Sequence, residues 1–174
     1  MKNIYKYLLL PICLLSTSCN WFPYWNEEVK TELEKLPPAT QSGENTFGCL
    51  VNGKAFVPPD SYSMTAIFQQ GQLQLGATID NDVKTESISI NIGDPLHERV
   101  VYKFNEIDKL SGYTYKDKEK TCIYQYGSSY GQIYFTNIDR INYIVSGTFE
   151  FSTANDDCDT IQITDGRFDV QYIP

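Results

Sequence analysis

Residues 161–170 read IQITDGRFDV, and this stretch contains the clearest turn signal of the chain. Asp165 and Gly166 interrupt an alternation of apolar and polar residues, and such a dipeptide is typical of a two-residue β-hairpin loop. The residues that this loop would set opposite one another are Ile163 with Phe168 and Ile161 with Val170. All four apolar side chains then share one face, so the stretch predicts two antiparallel strands with one buried face.

Two more dipeptides, Asn52-Gly53 and Gln70-Gly71, predict hairpins by the same reasoning. Around the first loop the expected opposing pairs are Cys49 with Phe56 and Leu50 with Ala55. Around the second they are Phe68 with Leu73, Ala66 with Leu75 and Met64 with Ala77. Because a two-residue loop fixes the register, this agreement between turn chemistry and apolar alternation indicates a domain built from hairpins.

Strand signals continue through the rest of the chain after Thr46. Apolar residues alternate with polar ones at Ile88, Ile90 and Ile92, and again at Tyr143, Val145, Phe149 and Phe151. Shorter strand signals lie at 100–104, 112–115, 121–126 and 131–138. We therefore predict one all-β domain over 46–174, an antiparallel β-sandwich of about ten strands, with a β-barrel as the alternative. The uneven hairpins and the loop 93–99 favour the sandwich.

The first 18 residues resemble an export signal. Lys2 and Lys6 precede an apolar run that is shorter than the roughly 20 residues a transmembrane helix needs. Small residues then lead into Cys19, as at the cleavage and lipidation site of bacterial lipoproteins. The sequence therefore predicts a signal peptide over 1–18 and a lipid anchor on Cys19, with secretory cleavage nearby as the alternative. We expect attachment to the cell envelope at the outer membrane, on a leaflet that the sequence leaves open.

Residues 19–45 are expected to form a tether between the lipid and the domain. Three apolar residues share one face of a helix: Val29, Leu33 and Leu36. Their spacing predicts a short helix over 26–36, which the prolines at 37 and 38 end. Residues 37–45 have the composition of a linker and no apolar period.

The charge balance argues against nucleic acid as a partner. Without residues 1–18 the chain loses two of its 14 basic residues, which leaves 12 against 22 acidic ones and a net charge near −10. A phosphate backbone is bound by clustered Lys and Arg, and no such cluster is present in the sequence. The expected membrane partner is therefore reached through the lipid rather than through surface charge.

Candidate catalytic or metal-binding residues are few. The only histidine is His97, so a nucleophilic triad would have to use it, and it lies in a loop beside Asp94 and Glu98. No histidine or cysteine pair has metal-ligand spacing, and we expect neither a metal nor a cofactor. The acidic run 155–159 could offer oxygens to calcium, but it lacks the spacing of a calcium loop, which favours a hairpin connection.

Six tyrosines crowd one stretch of the sequence: Tyr113, Tyr115, Tyr124, Tyr126, Tyr130 and Tyr134. They could form a face that stacks on sugars. Tyrosine is also a preferred strand residue, so an ordinary sheet surface explains them as well.

Three cysteines remain after lipidation, which allows one disulfide and one thiol. Cys49 alternates with apolar residues on a predicted strand and is expected to be a buried thiol. We therefore predict a disulfide between Cys122 and Cys158, which export to an oxidising compartment permits.

Several segments resemble a family of Bacteroidota lipoproteins with a β-rich domain of unknown function. They read LPPATQ (36–41), FGCLVNGK (47–54), SGTFEF (146–151) and ITDGRFD (163–169). The resemblance implies the lipoprotein address and supplies no catalytic residue or ligand.

The expected function is a non-catalytic binding or structural module of the envelope, with a glycan or an envelope protein as the candidate partner. The alternative is a glycan-acting hydrolase whose carboxylates the sequence cannot place. Loops 93–99 and 105–120 are the first candidates for ligand contact.

Overall fold

The computed structural model describes residues 30–104, 106, 109–124 and 129–174. The predicted signal peptide and Cys19 lie outside these residues, as do the first four residues of the predicted helix and Tyr126. Whatever the sequence predicts for them therefore stays a prediction.

Eleven β-strands form the described part of the domain. In chain order they are β1 (Thr46–Val51), β2 (Lys54–Phe56), β3 (Met64–Gln69), β4 (Gln72–Asp80), β5 (Lys84–Gly93), β6 (Val101–Lys103), β7 (Lys109–Asp117), β8 (Thr121–Tyr124), β9 (Ser129–Asp139), β10 (Ile144–Asn155) and β11 (Cys158–Gln171). Two short 3-10 helices, Leu33–Lys35 and Ser61–Ser63, complete the described elements.

The strands form two separate antiparallel sheets. One has six strands in the order β2-β1-β11-β10-β9-β6, and the other has five in the order β3-β4-β5-β7-β8. Their inner faces enclose a single apolar core, to which β5 contributes Ile88, Ile90 and Ile92 as predicted from their alternation. The architecture is thus the predicted sandwich and not the barrel alternative.

Two of the three predicted hairpins form with the predicted register. The Asn52-Gly53 turn joins β1 to β2 and pairs Cys49 with Phe56. The Gln70-Gly71 turn joins β3 to β4, where Phe68 pairs with Leu73, Ala66 with Leu75 and Met64 with Ala77. All four turn residues have positive φ, as the tight turn requires.

The prediction of a hairpin at Asp165-Gly166 is wrong. Strand β11 runs straight through this dipeptide and pairs on one side with β10 and on the other with β1. Between Ile163 and Gly166 it contains one residue more than the facing stretch of β10, so the dipeptide forms a β-bulge. Asp165 has a φ of 54°, the left-handed conformation that a hairpin turn would also use.

The bulge explains why the sequence pattern was ambiguous. One extra residue reverses the alternation of a strand, so Ile163 and Phe168 face the same way although their numbers differ in parity. Both side chains are buried in the core, as the hairpin interpretation also required. The true hairpin partner of β11 is β10, and the acidic run 155–159 connects them, with Asn155 paired to Cys158.

The tether is more ordered at its C-terminal end than the sequence predicts. In the described part of the predicted helix 26–36, only the 3-10 turn Leu33–Lys35 forms. Glu32 instead binds the domain, because its carboxylate accepts a hydrogen bond from the Ala55 amide at 2.8 Å. Leu36 is buried, and residues 37–45, predicted to be a linker, lie against the outer face of the six-stranded sheet.

A buried carboxylate holds this segment in place. Asp169 is fully buried and accepts hydrogen bonds from the backbone amides of Ser42, Gly43 and Glu44 at 2.8–3.1 Å. The Ser146 hydroxyl donates to the same carboxylate at 2.7 Å. Burial acts to raise the pKa of Asp169, but these hydrogen bonds outweigh it and hold the pKa below its ordinary value.

Candidate functional site

A cleft of about 420 Å³ opens between the two sheets at one end of the sandwich. The β1–β2 turn lies on one side of it, and the start of β5 with the ends of β7 and β8 lies on the other. Its lining comprises Val51, Asn52, Lys54, Ala55, Phe56, Lys84, Glu86, Tyr113, Tyr115, Asp117, Lys120, Cys122, Tyr124, Asp159 and Ile161.

Three of the predicted tyrosines, Tyr113, Tyr115 and Tyr124, line this cleft. Tyr113 and Tyr124 are directly opposite each other on β7 and β8, with ring centroids 5.8 Å apart. Both are buried, whereas Tyr115 is partly exposed. The aromatic contribution of the cleft to a ligand therefore comes mainly from Tyr115.

The hydroxyls of these tyrosines donate hydrogen bonds to acidic residues. Tyr113 donates to Glu86 at 2.7 Å, and Tyr124 donates to the backbone carbonyl of Asp159. Burial, together with the hydrogen bond to the neighbouring carboxylate, raises the pKa of Tyr113 well above its usual range. The hydroxyl therefore stays protonated and keeps the Glu86 carboxylate in a fixed position.

Lysines and carboxylates share the rim of the cleft. The Lys84 ammonium binds Glu86 at 2.6 Å, while Lys54 and Lys120 are exposed. Asp117 accepts hydrogen bonds from the Tyr115 hydroxyl at 2.7 Å and from the amides of the turn that follows. The Tyr115 bond, with those amides, lowers the pKa of Asp117, so this carboxylate is held in its ionised form.

One wall of the cleft is cross-linked. The predicted disulfide between Cys122 and Cys158 is confirmed, and it connects β8 of one sheet to β11 of the other, with Cα atoms 6.1 Å apart. Cys49 is a free, fully buried thiol, and burial raises its pKa beyond the range in which a thiolate forms. It packs as a small apolar side chain of the core.

Sequence reasoning missed Glu86, although a signal was present. Glu86 lies at the same parity of β5 as Ile88 and Ile90, which are buried in the core. A carboxylate on the inner face of an alternating strand needs a partner, and here Tyr113 and Lys84 supply it. A charged residue at a position where the alternation predicts a core-facing apolar residue is therefore a signal that could have identified the site.

The other two described tyrosines of the predicted group lie outside the cleft. Tyr130 and Tyr134 are on β9 and point to the outer face of the six-stranded sheet. Tyr134 lines a second depression of about 440 Å³, and Tyr130 lines a third of about 240 Å³. The five of the six tyrosines that the structure describes therefore do not form one continuous binding face.

The loop 93–99 has a structural role in the described chain. It crosses from β5 of one sheet to β6 of the other, and the His97 amide donates to the Tyr102 hydroxyl at 2.7 Å. Glu98 accepts from the Ile138 amide at 2.9 Å. Among the described residues, no group of three His, Cys, Asp or Glu side chains is placed to hold a metal ion.

Comparison with known proteins gives a family and no closer relative. The family model described as "Domain of unknown function (DUF6252)" matches residues 46–170. No curated protein and no solved structure matches the chain. Within the described residues, no helix is long and apolar enough to cross a membrane.

Proposed function

The chain belongs to the DUF6252 family, whose domain has no known function, and on this premise we propose that it is a non-catalytic binding module of the cell envelope. The observation that carries the proposal is the open cleft at the end of the sandwich. Its volume of about 420 Å³ lies in the range of roughly 300–1,000 Å³ that small-molecule sites occupy.

The lining of the cleft suits recognition of a small ligand of mixed polarity. Tyr115 offers a partly exposed ring, and the aliphatic parts of Val51 and Ile161 extend the apolar surface. Lys54 and Lys120 offer exposed ammonium groups at the rim. Six of the fifteen lining residues are charged, so polar contacts would fix a ligand that these apolar side chains also touch.

The carboxylates in the cleft support binding better than hydrolysis. A glycoside hydrolase needs one carboxyl group with a raised pKa as general acid and a second as base or nucleophile. Asp117 has a lowered pKa, and the Glu86 carboxylate is already engaged in an ion pair with Lys84 and a hydrogen bond from the Tyr113 hydroxyl. The presence of both in one cleft nevertheless makes the hydrolase the alternative that an activity assay must address.

The envelope address rests on the N-terminal sequence. Lipidation of Cys19 after removal of residues 1–18 would attach the chain to a membrane, in our proposal the outer membrane. Ten residues lie between Cys19 and Lys30, so a fully extended tether reaches at most about 40 Å over its eleven Cα–Cα steps. Glu32 is bound to Ala55, which lines the cleft, so the tether joins the domain at its cleft end.

The binding function can be tested with the full-length protein in detergent. We would screen cell-wall and dietary glycans and muropeptides by thermal shift and by chromatographic assay for hydrolysis, with Tyr115→Ala as the cleft variant. Tyr62→Ala is the matched control, because Tyr62 is 96% exposed and lies outside the cleft. Binding that Tyr115→Ala abolishes and Tyr62→Ala preserves supports the proposal. Turnover of a glycan that Glu86→Gln abolishes would establish the hydrolase instead.

The lipid anchor has its own test. Mass spectrometry of the membrane-extracted protein should find Cys19 as the modified N-terminus, with residues 1–18 removed. A Cys19→Ser protein should be released from the membrane fraction. Retention of that variant after a high-salt wash, with an unchanged N-terminal mass, would refute lipidation.

A further inference from the structure

The outer face of the six-stranded sheet carries a second surface, which is independent of the cleft. On β9 and β10 the even-numbered residues from 130 to 134 and from 148 to 152 point outward, while Ile133, Phe149 and Phe151 between them are buried in the core. The two depressions on this face both include Glu150. They therefore adjoin at Glu150, and we call the two depressions together the sheet groove.

The register of the strands sets the polar and aromatic side chains of the sheet groove in three rows. Tyr134, Thr148 and Arg167 are directly opposite one another in the first row. Gln132 and Glu150 form the second, where the Gln132 amide donates to Glu150 at 2.9 Å. Tyr130, Ser152 and Gln162 form the third.

The two tyrosines bracket the central polar pair. Tyr130 and Tyr134 are four residues apart on one strand, which corresponds to about 13 Å along β9. Tyr130 is 64% exposed, so most of its ring surface is available. Two aromatic rings separated by hydrogen-bonding side chains can contact successive parts of an elongated ligand.

Residues of the tether and of the six-stranded sheet together shape the groove. Arg167, at one end, donates to the backbone carbonyl of Pro37 at 3.5 Å, and Ala39 of the same segment forms a side of the groove. The rest of the surface lies on three adjacent strands of one sheet. A rigid surface loses little conformational entropy on binding, which favours affinity from few contacts.

The chemistry of the sheet groove selects an uncharged ligand. Its lining carries two acidic residues, Glu150 and Asp165, and one basic residue, Arg167, while Lys103 on the neighbouring strand β6 is paired in register with Gln132. The acidic excess of the whole chain repels polyanions. An extended peptide is also a poor occupant, because β10 is hydrogen-bonded on both sides and offers no free strand edge.

We propose that the sheet groove binds an extended, uncharged polysaccharide chain, with Tyr130 and Tyr134 in contact with sugar rings and with Gln132, Glu150 and Arg167 bonded to hydroxyls. The hydroxyls of such a chain can donate to Glu150 and accept from Arg167 and Gln132. The groove is open at its surface, which suits an internal stretch of a long chain.

The test uses the full-length protein in a detergent without a sugar headgroup, titrated by calorimetry with cellohexaose, xylohexaose and mannohexaose. We expect at least one to bind, and Tyr134→Ala and Glu150→Gln each to weaken that binding about tenfold. Glu150→Gln preserves the shape of the side chain, so it guards against loss of folding in Tyr134→Ala. Tyr62→Ala, which lies outside both the cleft and the sheet groove, should bind like the wild type.

Other outcomes would overturn the proposal. Failure of all three neutral hexasaccharides to bind at millimolar concentration does so, and so does binding that Tyr130→Ala, Tyr134→Ala and Glu150→Gln leave unchanged. Equal affinity for hexagalacturonate would contradict selection of an uncharged chain. A dimer of the wild type that Tyr134→Ala dissociates would assign the sheet groove to a second copy. Loss of binding in Tyr115→Ala alone would transfer the site to the cleft.

Discussion

Strand β11 is held at its two ends by contacts of different chemistry. At its start, Cys158 is bonded to Cys122 and so joins the two sheets beside the cleft. Near its end, Asp169 binds the backbone amides of residues 42–44 and so holds the last part of the tether beside the sheet groove. The first contact is covalent and can be broken by reductant. The second is a set of hydrogen bonds to an ionised carboxylate and responds to pH.

The difference shows which long-range contacts a sequence reveals. Cysteines left over after lipidation can be paired by counting and by their position in strands or turns. Asp169 alternates with Phe168 and Val170, which predicts an outward, solvated side chain, yet it is fully buried. An outward position becomes buried when another segment of the chain covers it. The alternation of β11 contains no signal that residues 42–44 cover Asp169.

Removal of the disulfide is expected to have the largest effect on stability. The two cysteines are 36 residues apart, and the chain-entropy model assigns such a loop about 3–4 kcal/mol. The Cys122→Ser, Cys158→Ser double variant should lose this amount of unfolding free energy in urea denaturation. Dithiothreitol should destabilise the wild type to a similar extent and leave the double variant unchanged. Equal midpoints for the oxidised and reduced wild type would contradict the prediction.

Loss of the Asp169 carboxylate is expected to cost about 2 kcal/mol, because Asp169→Asn presents an amide group to buried donors. Hydrogen exchange at the amides of Ser42, Gly43 and Glu44 should accelerate, while exchange near Cys122 should not. Asp165→Asn on the same strand is the matched control, since that exposed residue should tolerate the change within about 0.5 kcal/mol. Unaltered exchange at residues 42–44 in Asp169→Asn would show that the carboxylate does not hold them.

The same contact should weaken in acid. Since the pKa of Asp169 is lower in the folded protein than in the unfolded chain, its contribution is complete above the unfolded value of about 3.9. It is lost as the pH falls through the lower folded pKa. The difference in unfolding free energy between the wild type and Asp169→Asn should therefore shrink below about pH 4. The difference between the wild type and the disulfide double variant should stay constant over the same titration, and a parallel decline of both would contradict this assignment.

The sequence predicts the fold better than it predicts the connections. Alternation identified the core face of β5 and the registers around Asn52-Gly53 and Gln70-Gly71, because these depend on residues close in the chain. The Asp165-Gly166 bulge could not be told from a turn, because both use a positive φ and both bury Ile163 with Phe168. Only the pairing with β1 and β10 decides between them.

The candidate sites were less predictable than the fold. The tyrosines of the cleft were recognised as a group, but their division between Tyr113, Tyr115 and Tyr124 in the cleft and the two on β9 depends on which sheet each strand joins. The sheet groove combines residues of β9 and β10 with residues of β11, and the predicted hairpin would have folded β11 back on itself instead of along β10. Its side chains meet only once β11 is placed beside β10 along its whole length.

The smallest losses of stability should come from removing a single hydroxyl that is hydrogen-bonded to β11 near one of its ends. The Ser146 hydroxyl is buried and donates to the Asp169 carboxylate at 2.7 Å, whereas the Tyr124 hydroxyl donates to the carbonyl of the exposed residue Asp159. Ser146→Ala should cost about 1.5 kcal/mol, because a bond to a buried charge is strong and water cannot replace it. Tyr124→Phe should cost only about 0.5 kcal/mol, because water can reach the carbonyl.

Urea denaturation of the two variants separates these cases. If Tyr124→Phe costs as much as Ser146→Ala, the Asp159 carbonyl must be shielded from water, and the wall of the cleft must be tighter than its open rim indicates. The other outcome is that Tyr124→Phe lowers the unfolding free energy less than Ser146→Ala, both before and after reduction of the disulfide. The Tyr124 hydrogen bond would then contribute little to holding β8 against β11, and the Cys122–Cys158 bond would be the main contact between them. The cleft would then depend on one covalent bond, and the tether on three hydrogen bonds from its backbone amides to one carboxylate.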